Sequence, residues 1–231
     1  MIRIENLQKT YGKETVLAID ALEIQRSEVV GLIGNNGAGK TTLFSLILDL
    51  IEPSKGFVSN KGIVVSQSDS WKKHTAAFLD ESFLIGYLTP EEYFYFIGSL
   101  HNMNKADVDA FIETFRDFFN DEILNKKKYI RDLSKGNQKK VGIIAAFMGN
   151  PEVVILDEPF ANLDPTTQIR LKRVITDFSQ NNKTTILISS HDLSLTVEVV
   201  SRILILEKGR LLKDTEKTEN SLQELESFFA V

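Results

Sequence analysis

Gly34-Asn35-Asn36-Gly37-Ala38-Gly39-Lys40-Thr41-Thr42 sets a glycine, four residues, then Gly-Lys-Thr. An apolar run, Val29, Val30, Leu32 and Ile33, precedes it and reads as a buried strand. Leu43, Phe44, Leu46, Ile47 and Leu50 follow at helical spacing. Strand, glycine loop and helix in that order are the context that makes this spacing a phosphate site. The glycines let successive backbone N–H groups turn toward one anion, and the helix after them points its positive end at it. Lys40 supplies a point charge for the β- and γ-phosphates of a nucleoside triphosphate, and the Thr41 hydroxyl a ligand for Mg²⁺.

Upstream, Ile2 and Ile4, then Val16, Leu17 and Ile19, then Leu22 and Ile24, form short strand-like runs punctuated by Gly12 and residues 25–28. Downstream, Pro53 and Gly56 mark a turn and residues 62–65 a short strand, with another near residues 76–79. The middle changes character. Thr89-Pro90-Glu91-Glu92 is a helix start with a Thr cap, Pro at the first position and Glu three residues after the cap. Tyr93, Phe96, Ile97 and Leu100 share one face of that helix, and a second carries Val108, Phe111, Ile112, Phe115 and Phe119. Eight of the fifteen Phe fall between Phe78 and Phe119, which predicts a helical subdomain with an aromatic core, or rings lining a groove for a partner's helix. A third helix starts at Ser134, and another at Asp164-Pro165 with Leu171, Val174, Ile175 and Phe178 on its face. Residues 184–189 are a strand followed by a short helix, residues 203–212 a hairpin, and a last helix begins at Ser221 with Glu224 completing a capping box. Strands alternating with helices give an α/β, mostly parallel sheet with a helical insertion.

The 231 residues, 42% hydrophobic, suffice for one large domain or a core plus a subdomain. With 27 basic and 32 acidic residues, a net of −5, no broad electrostatic footprint for nucleic acid is present, and no nucleic-acid partner is expected. There is no cysteine, hence no disulfide and no thiolate metal site. The N-terminus lacks the apolar core of a signal peptide, and no run approaches the roughly 18 residues needed to span a bilayer.

Two further stretches carry chemistry. Val153-Val154-Ile155-Leu156-Asp157-Glu158 is an apolar strand delivering two carboxylates at its C-terminal end, where ligands sit in such sheets. An Asp there can hold Mg²⁺ through water and a Glu can polarise an attacking water; alone, the run also fits a strand leaving the core with solvated acids. Leu133-Ser134-Lys135-Gly136-Asn137-Gln138 precedes an amphipathic helix with Ser134 as N-cap, and its bare first turn could receive an anion.

Taken together, these motifs resemble those of an ATP-binding cassette (ABC) ATPase, the nucleotide-binding subunit of an ABC transporter, along nearly the whole chain. Gly34 to Thr42 match the Walker A loop, Leu133 to Gln138 the signature motif and Val153 to Glu158 the Walker B strand. Tyr11 matches the aromatic that stacks on adenine, Ala161-Asn162-Leu163-Asp164 the D-loop and His191 the switch histidine. The resemblance implies a P-loop NTPase fold: a mostly parallel core sheet, an N-terminal antiparallel β-subdomain and an inserted helical subdomain. Residues 1–79 and 151–214 would form the core and β-subdomain, 89–150 the helical subdomain, and 215–231 a C-terminal helix. It also implies a head-to-tail dimer, with a second copy or a homologous cassette, that sandwiches ATP and Mg²⁺. Residues 34–42 and Tyr11 would bind nucleotide in cis, and Ser134, Lys135, Gly136 and Asn137 in trans. Thr41 and Asp157 would serve the metal, and Glu158, His191 and Lys40 the hydrolysis. Integral membrane permease subunits would be separate chains, with this one peripheral on the cytoplasmic face.

Three departures from the family pattern stand out. Lys135 and Asn137 replace the Gly and Gln often found in the signature, adding a positive charge compatible with its role. Ser27 stands where a glycine commonly forms a turn, a change expected to be harmless. Asp80, in Phe78-Leu79-Asp80-Glu81, takes the place of the Q-loop glutamine and is expected to contact Mg²⁺ through water; Gln67 lies too far before the helical subdomain. A carboxylate there resembles certain bacterial export systems. The competing class, a soluble ABC protein acting on ribosomes or chromosomes, typically carries tandem cassettes or a long inserted coiled coil.

Overall fold

The computed structural model describes residues 1–229. β1 (Ile2–Tyr11) and β2 (Glu14–Ile24) make one long antiparallel hairpin where the sequence suggests several short runs. A register shift between Lys9 and Thr10 breaks the alternation and explains the interrupted reading. β3 (Val29–Ile33) leads through the glycine loop into α1 (Lys40–Ile47). β4 (Lys55–Asn60) and β5 (Ile63–Val64) follow, then short 3₁₀ turns and β6 (Thr75–Phe78). The helical segment comprises α2 (Pro90–Leu100), α3 (Lys105–Thr114), α4 (Arg116–Phe119) and α5 (Lys135–Ala146). The chain closes with β7 (Val153–Leu156), α6 (Pro165–Asn181), β8 (Thr185–Ser190), α7 (Leu193–Val199), β9 (Arg202–Glu207), β10 (Arg210–Glu216) and α8 (Ser221–Phe229).

The strands form one sheet in the order β5-β4-β1-β2-β10-β9-β3-β8-β7-β6. From β9 to β6 every neighbour is parallel; β5, β4, β1 and β2 are antiparallel, joined to β10 through a single parallel bridge, Arg210 to Ala18. The expected parallel core with an antiparallel β-subdomain is therefore realised. β3 is buried along its whole length, and its side chains alternate between two cores. Val30 and Leu32 meet α1 through Leu43, Phe44, Leu46 and Ile47, whereas Val29 and Ile33 face the core shared with α5, α6 and α7. Each fully buried Leu or Phe here stabilises the fold by about 1.5–3 kcal/mol, which fixes the height at which the glycine loop leaves the sheet.

The capping box on α2 is present, with Thr89 accepting from Glu92 N and Glu92 accepting from Thr89 N. The helix read through Phe119 is broken instead: Phe115 caps α3 at ψ 13° and α4 restarts at Arg116. Phe94, Phe115, Phe118 and Phe119 are buried as an aromatic core, while Phe83 and Phe96 are exposed. At the C-terminus β10 runs to Glu216, past the expected boundary at 215, and residues 230–231 of the expected helix lie outside the described residues. Ser221 accepts a hydrogen bond from Thr218 N, and Glu224 pairs with Lys213 on β10 at 3.0 Å, so that pair does not form the expected capping box. Ser27 adopts φ 62°, the region a glycine would favour. Its strain is offset by two long-range bonds, Ser27 N to Thr185 Oγ1 (2.9 Å) and Ser27 Oγ to Lys183 O (3.0 Å).

Candidate functional site

The loop after β3 is held tightly against the strands on either side. A side chain at Gly34 would bring its Cβ to 2.3 Å from Leu206 O, so only glycine lets β3 turn there. Gly37 and Gly39 take φ of 81° and 105°, which opens the loop toward α1. Lys40 is buried, and its ammonium donates to Gly34 O at 2.7 Å and to Asn35 O at 3.4 Å. It also lies 3.2 Å from Glu158 Oε1. Beyond that ionic contact Oε1 has no hydrogen-bond partner among the described residues.

β7 brings Asp157 and Glu158 to the same end of the sheet, with β8 between them and β3. The Thr41 hydroxyl donates to Asp157 Oδ2 at 2.5 Å. On the other side the Ser189 hydroxyl donates to Asp157 Oδ1 and accepts from Glu158 N at 2.8 Å. Ser189 is fully buried at the end of β8 and fixes both acids at once. Glu158 Oε2 meets His191 Nδ1 at 2.8 Å and accepts from His191 N at 3.3 Å. A carboxylate only accepts, so Nδ1 carries the proton and Nε2 is the nitrogen left free. Glu158 itself sits at φ 47° and aims its carboxylate between Lys40 and His191. A cleft of about 320 Å³ opens here, lined by Tyr11, Val16, residues 36–42 and Glu158.

The sequence profile described as ABC transporter matches residues 17–161. The chain belongs to the ABC transporter family. It is an ATP-binding, ATP-hydrolysing cassette of that family. An uncharacterized ABC transporter ATP-binding protein of Methanocaldococcus jannaschii is 34% identical over 221 residues, 90% of this chain and 75% of that protein. The bacitracin transport ATP-binding protein of Enterococcus faecalis is 31% identical over 221 residues, 95% of this chain and 70% of that protein. The tungstate uptake system ATP-binding protein of Peptoclostridium acidaminophilum is 30% identical over 211 residues, 91% and 96% of the two chains. Among solved structures, an ATP binding subunit of an ABC transporter superposes with a TM-score of 0.80 at 26% identity, covering 100% of this chain and 93% of that one. A dimeric ATP-binding cassette bound to ADP and Pi gives 0.82 at 22% identity over 94% and 99%, a likeness of fold.

Within this cassette the structure gathers Lys40, Thr41, Asp157, Glu158 and His191 into one connected cluster, with Tyr11 on the wall of the cleft. Tyr11 is 54% exposed, and Lys9 Nζ lies 4.8 Å above one face of its ring. The signature residues lie elsewhere. Ser134 caps α5, accepting from Asn137 N at 3.2 Å, and Ser134 and Lys135 are exposed. Asp80 follows β6, whose last residue Phe78 accepts from Asp157 N through its carbonyl at 2.9 Å. Asp80 Oδ1 accepts from Ser82 N at 2.6 Å, capping a short turn. Among the described residues no group of three acidic or histidine side chains gathers as a metal site.

Two residues at the site escaped sequence reading. Ser189 is a polar interruption at the end of an apolar strand, a weak signal that the neighbouring acids need a partner. Lys139 donates from α5 to Glu158 O at 2.9 Å and Ala161 O at 3.0 Å, across 19 and 22 residues. Nothing local marks it.

Proposed function

We propose that this cassette binds Mg-ATP in the cleft at the end of β3 and hydrolyses it in a head-to-tail pair, energising a separate integral membrane permease. The observation that carries the reading is the convergence of Lys40, Thr41, Asp157, Glu158 and His191 from three separate segments into one bonded cluster at the edge of the cleft. Hydrolysis of this kind needs charge neutralisation and a placed water more than covalent help. Residues 34–42, with Asn35, Asn36 and Ala38 contributing backbone amides, cradle the phosphates. Lys40 exchanges Glu158 for the β- and γ-phosphate oxygens, which releases Glu158 to polarise water. His191 holds the Glu158 carboxylate in place and keeps Nε2 free toward the γ-phosphate.

The Thr41 hydroxyl and Asp157 carboxylate are hard oxygen donors in contact, a pair that would suit Mg²⁺. Bound there, Mg²⁺ would supply neutralising charge for the phosphate oxygens; Asp80 would add a carboxylate to that site and favours an export-type system. Tyr11 offers its open face to the adenine. Ser134, Lys135, Gly136 and Asn137 at the start of α5 serve the nucleotide held by the partner cassette.

The permease partner is supported by a second cleft. About 360 Å³ and mainly apolar, it lies between the sheet and the helical segment, lined by Phe83, Leu84, Ile97, Leu100 and His101 among others. Leu50, Phe83 and Leu100 around it are exposed, which fits a groove receiving a helix of the membrane subunit. No helix among the described residues is long and apolar enough to cross a membrane. This reading makes residues 1–79 and 151–214 the nucleotide-holding unit, residues 89–150 the permease-facing unit, and places the chain peripherally on the cytoplasmic face. The test is detergent extraction and affinity purification of the tagged chain with an ATPase assay. Co-purification of an integral membrane protein, with Mg-ATP turnover that Glu158→Gln abolishes, is expected. Recovery with ribosomes or DNA and no membrane protein would overturn it.

A further inference from the structure

Lys139 is only 6% exposed, yet its ammonium faces no carboxylate at bonding distance among the described residues. It is satisfied by two backbone carbonyls, Glu158 O at 2.9 Å and Ala161 O at 3.0 Å. Those carbonyls are the two ends of a tight turn, closed by Ala161 N donating to Glu158 O at 3.2 Å. Glu158 opens that turn at φ 47°, a conformation that non-glycine residues hold only when their surroundings enforce it. Burial pulls the Lys139 ammonium below the usual lysine range, against the opposing pull of Glu81, Glu158, Asp157 and Asp80. A buried charge spent on two peptide oxygens is an expensive way to brace a turn, and a neutral side chain would be cheaper if bracing were its whole use.

The same helix turn makes a second contact. A Cβ on Gly136 would lie 3.2 Å from Asn162 O, so the start of α5 packs closely on the chain leaving Ala161. The N-terminus of α5 and the backbone of Glu158 are thus tied by one helix turn, with Lys139 as the polar link.

We propose that Lys139 is a positioning residue that couples the two nucleotide sites of the dimer. When the start of α5 closes on the nucleotide held by the partner cassette, the displacement passes through Lys139 to the Glu158–Ala161 turn. It thereby sets the aim of this chain's own water-polarising carboxylate. Lys139 is not itself among the residues lining the cleft and makes no bond to Lys40, so it acts through the Glu158–Ala161 turn. The inference rests on the dimeric reading above.

The experiment compares wild type, Lys139→Met, Lys139→Gln and Lys139→Arg, with turnover measured against ATP concentration, affinity for a fluorescent ATP analogue, and Tm. Lys139→Met is expected to lose about 10²-fold in kcat, the scale of a small misplacement of a catalytic group. Its nucleotide affinity should stay within about twofold of wild type, and its Hill coefficient should fall toward 1. Lys139→Arg keeps a cation that reaches both carbonyls and should restore most of the rate, with Lys139→Gln between the two. Turnover of Lys139→Met within twofold of wild type, or an unchanged Hill coefficient, would overturn the proposal. If Lys139→Met does not fold, Lys139→Gln decides, since its side chain is one bond shorter and carries no charge, and wild-type behaviour from it would count against the coupling. Failure of the wild type to bind or hydrolyse Mg-ATP in the same assays would instead sink the functional reading beneath it.

Discussion

Two helix N-termini in this cassette offer themselves to phosphate, and they stand in different states. Neither α1 nor α5 carries an acidic residue in its first turn, so both positive ends are uncompensated within the helix. At α1 the surrounding side chains already meet partners from the same chain: Lys40 lies on Glu158 and Thr41 on Asp157. At α5 the cap is satisfied by Asn137 N alone, and Lys135 forms no ion pair among the described residues. The first site is assembled and internally neutralised; on the proposed reading the second is half of a site whose ligand arrives on another molecule. Binding and turnover therefore depend on different residues, and substitutions should separate them.

Glu158→Gln should have the largest effect. Removing the base is expected to lower turnover by about 10²–10⁴ while Mg-ATP affinity, measured by titration of a fluorescent analogue, holds or rises because Lys40 loses its internal counter-ion. A loss of affinity parallel to the loss of rate would mean that the α1 site is not assembled as described. Gly136→Asp tests the other end. It adds a negative charge facing the partner's phosphates and a Cβ against Asn162 O, and should reduce turnover about 10²-fold with single-chain nucleotide affinity unchanged. If affinity fell as well, the two N-termini would not be separable.

A smaller change is expected at Asp80. Asp80→Ala should raise the Mg²⁺ concentration for half-maximal turnover about tenfold, the scale of an outer ligand. An unchanged Mg²⁺ dependence would reduce Asp80 to the cap on Ser82 N. The smallest effect lies at the opposite end of the sheet. His74 is held below the ordinary imidazole value chiefly by burial, and also by Lys61, the terminal amine and Arg26, against the pull of Glu152. The unfolded chain takes up that proton near pH 6.5. The contribution is therefore complete above that pH and is lost as pH falls through the depressed folded value. Between pH 7 and 5.5 the wild type should lose about 1–2 °C more in Tm than His74→Gln, with the nucleotide cleft unaffected. Equal slopes would show that His74 titrates normally.

What could be read from the sequence was what the chain specifies locally. Residues 34–42, the strand ending in Asp157 and the caps at Thr89, Ser134 and Asp164 each depend on residues within a few positions of one another, and each is present. β4 was missed because Lys55-Gly56 opens it with residues that read as a turn, although Gly56 at φ 72° sits inside the strand against β1. The break at Phe115 was hidden because the Phe111, Phe115, Phe119 spacing continues straight through it. Ser27, Ser189 and Lys139 were illegible for a different reason. Their partners lie 156, 32 and 19 residues away, and only the folded sheet brings them together. The structure therefore brings together side chains that the motifs named, while the groups that hold them in place were not legible.

The central claim is that the α1 site of one chain is completed by the α5 end of another. Size-exclusion chromatography with light scattering on Glu158→Gln, with and without saturating Mg-ATP, tests it most directly. A monomer that becomes a dimer only with Mg-ATP, and reverts when Gly136→Asp is added, is the result predicted. A protein that binds Mg-ATP fully yet remains monomeric would contradict it.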